Sequence, residues 1–525
     1  LKKKIVVILG IALLIIDLWK LTGNSLSKPA SVPATTKADY ISDFDYSEID
    51  AYIKDEMKSQ KIPGLALAII KNGEIIQVKG YGQTGRSGKP VTPDTPFMIG
   101  SNSKSFTAMA VLQLVETGKI DLDAPIQQYI PEFKVLGKQS PTSDLSQDDS
   151  SLITVRHLLH QTSGLPQFPG NKIVPPTYDE EDALERNVEI YTMGKVRLNH
   201  QVGKSYEYAN DNYNLLGLIV QRVSGQSYES YVKEYIFEPL SMHNSFTSEE
   251  KAFESGLATA HRRWFGFNMA YTSPYTFNRG EIPAGYIISS AEDLSHYVAA
   301  QLNEGVYENV SILSSGGINL MRKEPVPNTY AMGWISDNIS GIPVFGHSGG
   351  SVGYQSHIWF SPKHKLGVVV LANTLGAVDT AFPNTKIVTT THLASGVMSL
   401  IANSKLPDQS LNITRKYWMI NGMIVLLSIW FLYSVMQVST RYKRLGKNDN
   451  IKLSTSIWRL ILVIVLHFIW PVAVFVMTVT NVAPIWHVLT SYQPDLILWM
   501  KIMAIVVFLK GVVEILLSFQ LTTNR

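Results

Sequence analysis

Three long apolar runs at the C-terminal end set the strongest limit on how this chain can fold. They are residues 417–438 (YWMINGMIVLLSIWFLYSVMQV), 456–480 (SIWRLILVIVLHFIWPVAVFVMTVT) and 496–521 (LILWMKIMAIVVFLKGVVEILLSFQL). Each reaches the roughly 20 residues that a helix needs to cross a bilayer. The linker between the first two carries Arg441, Lys443, Arg444, Lys447 and Lys452, and the linker between the second and third has almost no charge. Excess Lys and Arg mark the cytoplasmic side of a membrane. The basic linker is therefore expected inside and residues 40–410 outside, although Arg415 and Lys416 pull mildly the other way. Lys510 and Glu514, four apart in the last run, are expected to pair on one helix face.

The N-terminal end agrees with this orientation. In residues 1–20, Lys2, Lys3 and Lys4 precede an apolar run from Ile5 to Ile16, the layout of a signal sequence or an uncleaved signal anchor. Residues 21–42 form a Ser/Pro/Thr-rich linker, and QSPTSDLSQDDSS at 139–151 reads as an exposed loop. Residues 43–405 are left as one extracytoplasmic domain. A net charge of +3 in 525 residues gives no sign of a nucleic-acid partner, and the absence of cysteine excludes a disulfide framework or thiolate zinc site.

Inside that domain helical and strand patterns alternate. A helix is expected at about 46–60. Two apolar strands then flank Asn72-Gly73, a hairpin signal. A buried helix follows over 101–117, stopped by Gly118, with further helices near 154–161 and over 211–225. YAMGWIS, IPVFGH, GYQSHIWFS and LGVVVLAN read as four late strands. The sum is a mixed α/β (α+β) domain with an antiparallel sheet, its strands drawn from both ends, and helices between.

The helix at 101–117 poses a chemical question. It is almost wholly apolar, yet Ser101, Ser103 and Lys104 stand in its first turn, and lysine is rarely placed where a helix enters a core. Ser and Lys three apart on a helix share a face. A desolvated lysine loses its proton readily and can take one from a hydroxyl, and a helix N-terminus favours developing negative charge. That suffices for a nucleophilic serine, although S-x-x-K alone also describes a helix cap followed by a solvated lysine. Two further stretches add to it. Tyr208 and Asn210 lie two apart just before a helix and can point the same way. His347 closes a strand-like run, and Gly349-Gly350 is expected to open a turn where backbone can approach a ligand. His157 and His160 lack an accompanying carboxylate motif and read as structural, and Trp334 and Trp359 read as core.

Taken together, S-x-x-K, Y-x-N and H-S-G resemble the SxxK serine hydrolases: class C β-lactamases, penicillin-binding D,D-peptidases and their esterase and D-aminopeptidase relatives. The likeness covers most of 45–400 and includes TVRHLLHQTSGLP at 154–166, YVKEYIFEPLSMHNSF at 231–246 and PAGYIISSAEDLSHYV at 283–298. It implies a β-lactamase/transpeptidase-like sheet flanked by helices, with an all-helical part beside it. It also implies that Ser101 is the acylated nucleophile, Lys104 its base partner and Tyr208 the proton relay. Asn210, His347 and Gly349 would contact substrate, and the backbone N–H groups of Ser101 and Gly350 would form the oxyanion hole. No metal or cofactor is implied. His347 stands where β-lactamases carry a lysine that grips a substrate carboxylate, which tilts the expectation toward a peptidase, amidase or esterase. The expected partners are a small peptide, ester or β-lactam-like substrate and the lipid bilayer. Membrane-bound D-amino-acid peptidases of nonribosomal peptide pathways resemble the chain in architecture. They differ from it at Asn210 and near Ser351, so their specificity does not transfer. The alternatives are a β-lactamase or D,D-carboxypeptidase, and a penicillin-acylated sensor.

Overall fold

The computed structural model describes residues 46–445 except 86, 139–147, 168–179, 272–276, 324–329, 377–388, 405 and 407–412; beyond that it describes 465–469, 471–474, 476, 490 and 493–523. The N-terminal apolar run, the 21–42 linker, most of the 139–151 stretch and most of the 456–480 run lie outside the described residues.

Helix α1 (Tyr46–Gln60) leads into strands β1 (Gly64–Lys71) and β2 (Glu74–Gly82). Asn72 and Gly73 join them with φ of 57° and 79°, the left-handed pair that a two-residue hairpin turn requires. Helix α2 (Ser103–Glu116) continues a short 3₁₀ turn over Gly100–Asn102, and Gly118 ends it at φ 71°. Helix α3 (Asn210–Ser224) stops at Gly225, φ 75°. Strands β3 (Ala260–Trp264) and β4 (Phe267–Tyr271) make a separate hairpin, and helix α4 (Ala291–Leu302) follows. Strands β5 (Ile335–Ile339), β6 (Ile342–Ser351), β7 (Tyr354–Ser361) and β8 (Leu366–Ala372) precede helices α5 (Thr389–Ile401), α6 (Ile413–Leu445) and α7 (Pro494–Thr523).

The main sheet has six strands in the order β2-β1-β8-β7-β6-β5, every neighbour antiparallel. Its central strands are buried on both faces, which explains their unbroken apolar runs. Leu65, Leu67 and Ile69 of β1, with Val368 and Val370 of β8, pack under α1 and α5. Ala66, Ala68 and Ile70, with Val369 and Leu371, face α4 and the larger helical core. Trp334 and Trp359 are core residues, as expected.

One expected turn is a strand instead. Gly349 and Gly350 continue β6 in register with Ser356 and Gln355, and the reversal falls at Val352-Gly353. Glycine marks close approach here rather than a turn. A Cβ on Gly349 would sit 1.9 Å from the Ile99 carbonyl oxygen, and one on Gly100 would sit 2.4 Å from the Gly350 nitrogen.

Among the described residues, two helical stretches are long and apolar enough to cross a membrane, Ile413–Val438 and Pro494–Leu516. They run parallel. Tyr417 hydrogen-bonds Gln493, the Trp499 indole donates to Ser428 Oγ at 3.0 Å, and Lys510 reaches Ser434. Lys510 and Glu514 pair as expected, at 3.7 Å.

Candidate active site

The 3₁₀ turn at Gly100–Asn102 aims Ser101 out of the core while α2 carries Lys104 straight into it. The turn is held from several sides. Ser103 Oγ donates to the Gly100 carbonyl at 2.7 Å and accepts from Ile287 N at 3.0 Å. Asn102 Nδ2 donates to Ser356 Oγ at 2.7 Å, which ties the turn to β7. Ser103 is thus a structural hydroxyl.

Lys104 is fully buried. Its Nζ donates to Asn210 Oδ1 at 2.9 Å and to the Ala284 carbonyl at 2.6 Å, and lies 3.1 Å from Ser101 Oγ. Two of three tetrahedral directions therefore point at groups that can only accept. The third points at the serine hydroxyl, where a neutral amine would place its lone pair. Burial pushes the Lys104 ammonium down to about 7, against a smaller upward pull from Glu281. The amine is thus available as a base near neutral pH.

Tyr208 donates to Ser101 Oγ at 2.7 Å, and Lys104 Nζ lies 4.8 Å from the centre of its ring. Loss of solvation raises the Tyr208 phenol well above its ordinary range, so it keeps its proton. The segment before α3 is positioned by Gln161, which accepts from Ala209 N at 3.0 Å through Oε1 and from Glu207 N at 3.0 Å through its carbonyl. This is the work of the HQTSG stretch. His160 Nδ1 meets the Tyr330 carbonyl at 3.2 Å, and His157 Nδ1 completes the Thr154 capping box that opens the helix at Val155–Leu159.

His347 is buried in β6, its Nδ1 bonded to the Ser348 carbonyl at 2.6 Å and its Nε2 facing Tyr330 Oη at 3.3 Å. Nδ1 donates there, so Nε2 accepts, and the imidazole is neutral. Burial first, and the Lys104 charge second, push His347 down to about 3. A solvated histidine would begin to charge near 6.5.

The fold therefore brings together Ser101, Lys104, Tyr208 and Asn210 by direct hydrogen bonds. The His347 ring lies 6.1 Å from that of Tyr208, and Gly350 abuts Gly100. Two contributors were not read from the sequence. Ala284 gives only a backbone carbonyl, although PAGY had marked its segment. Glu281 interacts electrostatically with Lys104; loss of solvation and then the nearby Asp211 carboxyl raise it to about 7, with Lys104 pulling it down.

Residues 49–390 match the family model described as Beta-lactamase. The chain belongs to the beta-lactamase family. Protein flp of Staphylococcus aureus (strain MW2) is 33% identical over 340 residues, covering 62% of this chain, and the chain spans only 62% of that relative's length. Among solved structures, the octameric penicillin-binding protein homologue from Pyrococcus abyssi superposes with a TM-score of 0.56 at 28% identity, over 71% of this chain and 80% of that one. The D-amino acid amidase from Ochrobactrum anthropi SV3 shares the fold, with a TM-score of 0.56 at 22% identity over 68% of this chain and 98% of its own.

Proposed function

We propose that the chain is a membrane-tethered, extracytoplasmic serine hydrolase that works through an acyl-enzyme. Its substrate would be a peptide, amide or ester containing a D-amino acid, of the cell envelope or secreted. The observation that carries this is Ser101 Oγ, held between Lys104 Nζ at 3.1 Å and Tyr208 Oη at 2.7 Å, with the lysine near neutrality.

Neutral Lys104 takes the Ser101 proton as Oγ attacks the substrate carbonyl. The tetrahedral oxygen turns toward the N–H groups of Ser101 and Gly350; the closeness of Gly350 N to Gly100, 2.4 Å from where a Cβ on Gly100 would be, supports that pairing. Tyr208 gives its proton to the leaving nitrogen or oxygen and recovers one from Lys104, which holds the proton taken from Ser101. Water then attacks the ester, and Ser101 leaves with a proton returned along the same path. Asn210 orients Lys104 through Oδ1, and its Nδ2 is left to contact the substrate amide. A neutral, buried His347 supplies no cation for a substrate carboxylate, which favours amides and esters over β-lactams.

The tether rests on the two parallel apolar helices. Both begin beside the hydrolase domain, where Asn421 and Asp495 bond the Phe265 backbone; for both to span one layer the chain between them has to cross back, and the 456–480 run of the sequence has the length for it. Their common starting side agrees with a cytoplasmic 439–455 linker.

The test is intact-mass spectrometry of the full chain with a fluorophosphonate, a penicillin and N-acyl-D-amino-acid amides, alongside Ser101→Ala. Transient adducts on Ser101 with turnover of the amide are expected. A penicillin adduct that persists without turnover of any amide or ester would replace the hydrolase with a sensor. Turnover by Ser101→Ala would remove the site.

A further inference from the structure

The β3–β4 hairpin stands apart from the main sheet, and its turn is built unlike a solvent turn. Phe265 and Gly266 both have positive φ, 47° and 86°. A Cβ on Gly266 would come 2.8 Å from Tyr417 Cβ. The turn is tied by its backbone to both long apolar helices. Phe265 N donates to Asp495 Oδ2 at 2.6 Å, and the Phe265 carbonyl accepts from Asn421 Nδ2 at 3.0 Å. At 1.5 Å per residue, Asn421 lies about 12 Å along its helix from Ile413, where the apolar stretch begins. The tip therefore lies at the outer end of the second stretch, beside Asp495, and about two turns inside the first.

Its side chains suit that level. Phe267 is 68% exposed and Met269 45%, and on the adjoining helix Trp418 is 74% exposed. Trp264 stands edge-on to Phe265 at 5.9 Å. Lys61 donates to the Gly266 carbonyl at 3.3 Å, with its ammonium 5.4 Å from the centre of the Phe267 ring. Exposed aromatics with a lysine beside them are the composition of a membrane–water boundary, where apolar bodies enter the lipid and the charged head stays at the headgroups. A polar turn would serve a hairpin facing water.

We propose that the β3–β4 tip is a lipid-contacting element: Phe267 and Met269 enter the headgroup–acyl boundary beside Trp418, and Lys61 faces the headgroups. This rests on the membrane-tethered reading and deepens it. The occupant is lipid because the tip is bonded to the chain's own spans, so its exposed face continues onto theirs. A consequence reaches the active site. Strand β3 runs from the tip to Ala260, whose Cβ lies 2.6 Å from where a Cβ on Gly353 would be, at the turn joining β6 to β7. That strand is about 13 Å long at 3.3 Å per residue. The edge of the cleft carrying Gly350 is thus held close to the bilayer surface, and substrate is met there.

The chain has no cysteine, so single labels are clean. Phe267→Cys, Leu432→Cys on the first span and Met193→Cys on the helical side of the domain are each labelled with an environment-sensitive fluorophore. The full chain is then placed in vesicles of phosphatidylcholine and phosphatidylglycerol. Nitroxide-bearing lipid should quench the labels at 267 and 432 severalfold more than the label at 193, and aqueous iodide should show the reverse order. If the label at 432 is quenched by lipid while the label at 267 stays open to iodide, the hairpin inference falls and the tether stands. If both stay open to iodide, the tether reading falls and takes this one with it. A label at 267 shielded from both quenchers would mean a protein occupant, such as a second copy, and would also overturn the proposal.

Discussion

Replacing Lys104 by methionine should remove a pH-dependent stability term along with activity. A lysine drawn from an ordinary 10.5 to about 7 by burial costs the fold about 5 kcal/mol wherever both states are protonated. The folded pKa lies below the unfolded one, so between about 7 and 10.5 the unfolded chain holds the extra proton. Stability must then rise with pH in that window, by up to about 1.4 kcal/mol per unit. Glu281 also titrates near 7, so the clean range lies above it. Between about pH 8 and 10 the wild type should gain roughly 2–3 kcal/mol over Lys104→Met. The methionine leaves Asn210 Oδ1 and the Ala284 carbonyl without their donor, at about 1–3 kcal/mol each, but that cost does not vary with pH. The assay is denaturant unfolding of the full chain in detergent, wild type and variant in parallel, so that other titrating groups cancel. A difference flat from pH 8 to 10 would mean that Lys104 keeps its proton in the folded state and that the base is elsewhere. The same proton should appear in catalysis, with kcat/KM of the wild type rising about tenfold per pH unit below 7 and levelling above it.

Ser101→Ala should fold normally and take no fluorophosphonate label; labelling at the wild-type rate would move the nucleophile. Tyr208→Phe loses the 2.7 Å bond to Ser101 and should lower turnover by roughly 10²–10⁴, the worth of a general acid; an unchanged rate would give that role to another group. Gly349→Ala drives a Cβ against the Ile99 carbonyl and should lower stability by about 1–3 kcal/mol or more. At Gly350 the nearest atom is Leu375 Cδ2, 3.3 Å from an added Cβ, so Gly350→Ala should be better tolerated in unfolding assays; equal losses would refute the packing argument. Because His347 stays neutral down to about 3, the preference for amides over carboxylate-bearing β-lactams should not change between pH 8 and 5. His347→Lys should raise β-lactam turnover relative to the amide; an unchanged ranking would show that position 347 does not set specificity.

The amino-acid sequence by itself determined what depends on neighbours along the chain. Spacing three apart on a helix placed Ser101 beside Lys104, Asn72-Gly73 dictated a left-handed turn, Gly118 and Gly225 stopped two helices, and apolar length marked the C-terminal spans. The apolar runs of β1 and β8 announced strands, and the structure shows both buried on either face. What the sequence left open is what distant segments do to one another. Whether Lys104 is charged depends first on its burial and then on the Glu281 carboxyl, and the Ala284 carbonyl holds its Nζ in place; both residues lie some 180 positions away in sequence. A backbone carbonyl leaves no trace in a sequence, because every residue has one. His347 looked like an ordinary histidine until β6 and Tyr330 closed over it. Gly349-Gly350 looked like a turn because glycine serves turns and close backbone contacts alike, and only the approach of Ile99 and Gly100 decides between them. The parallel course of the two long helices likewise appears only where Tyr417 meets Gln493 and Trp499 meets Ser428. Local periodicity fixes elements, but desolvation and hydrogen-bond partners are properties of the packed chain, and they lower the pKa of this lysine.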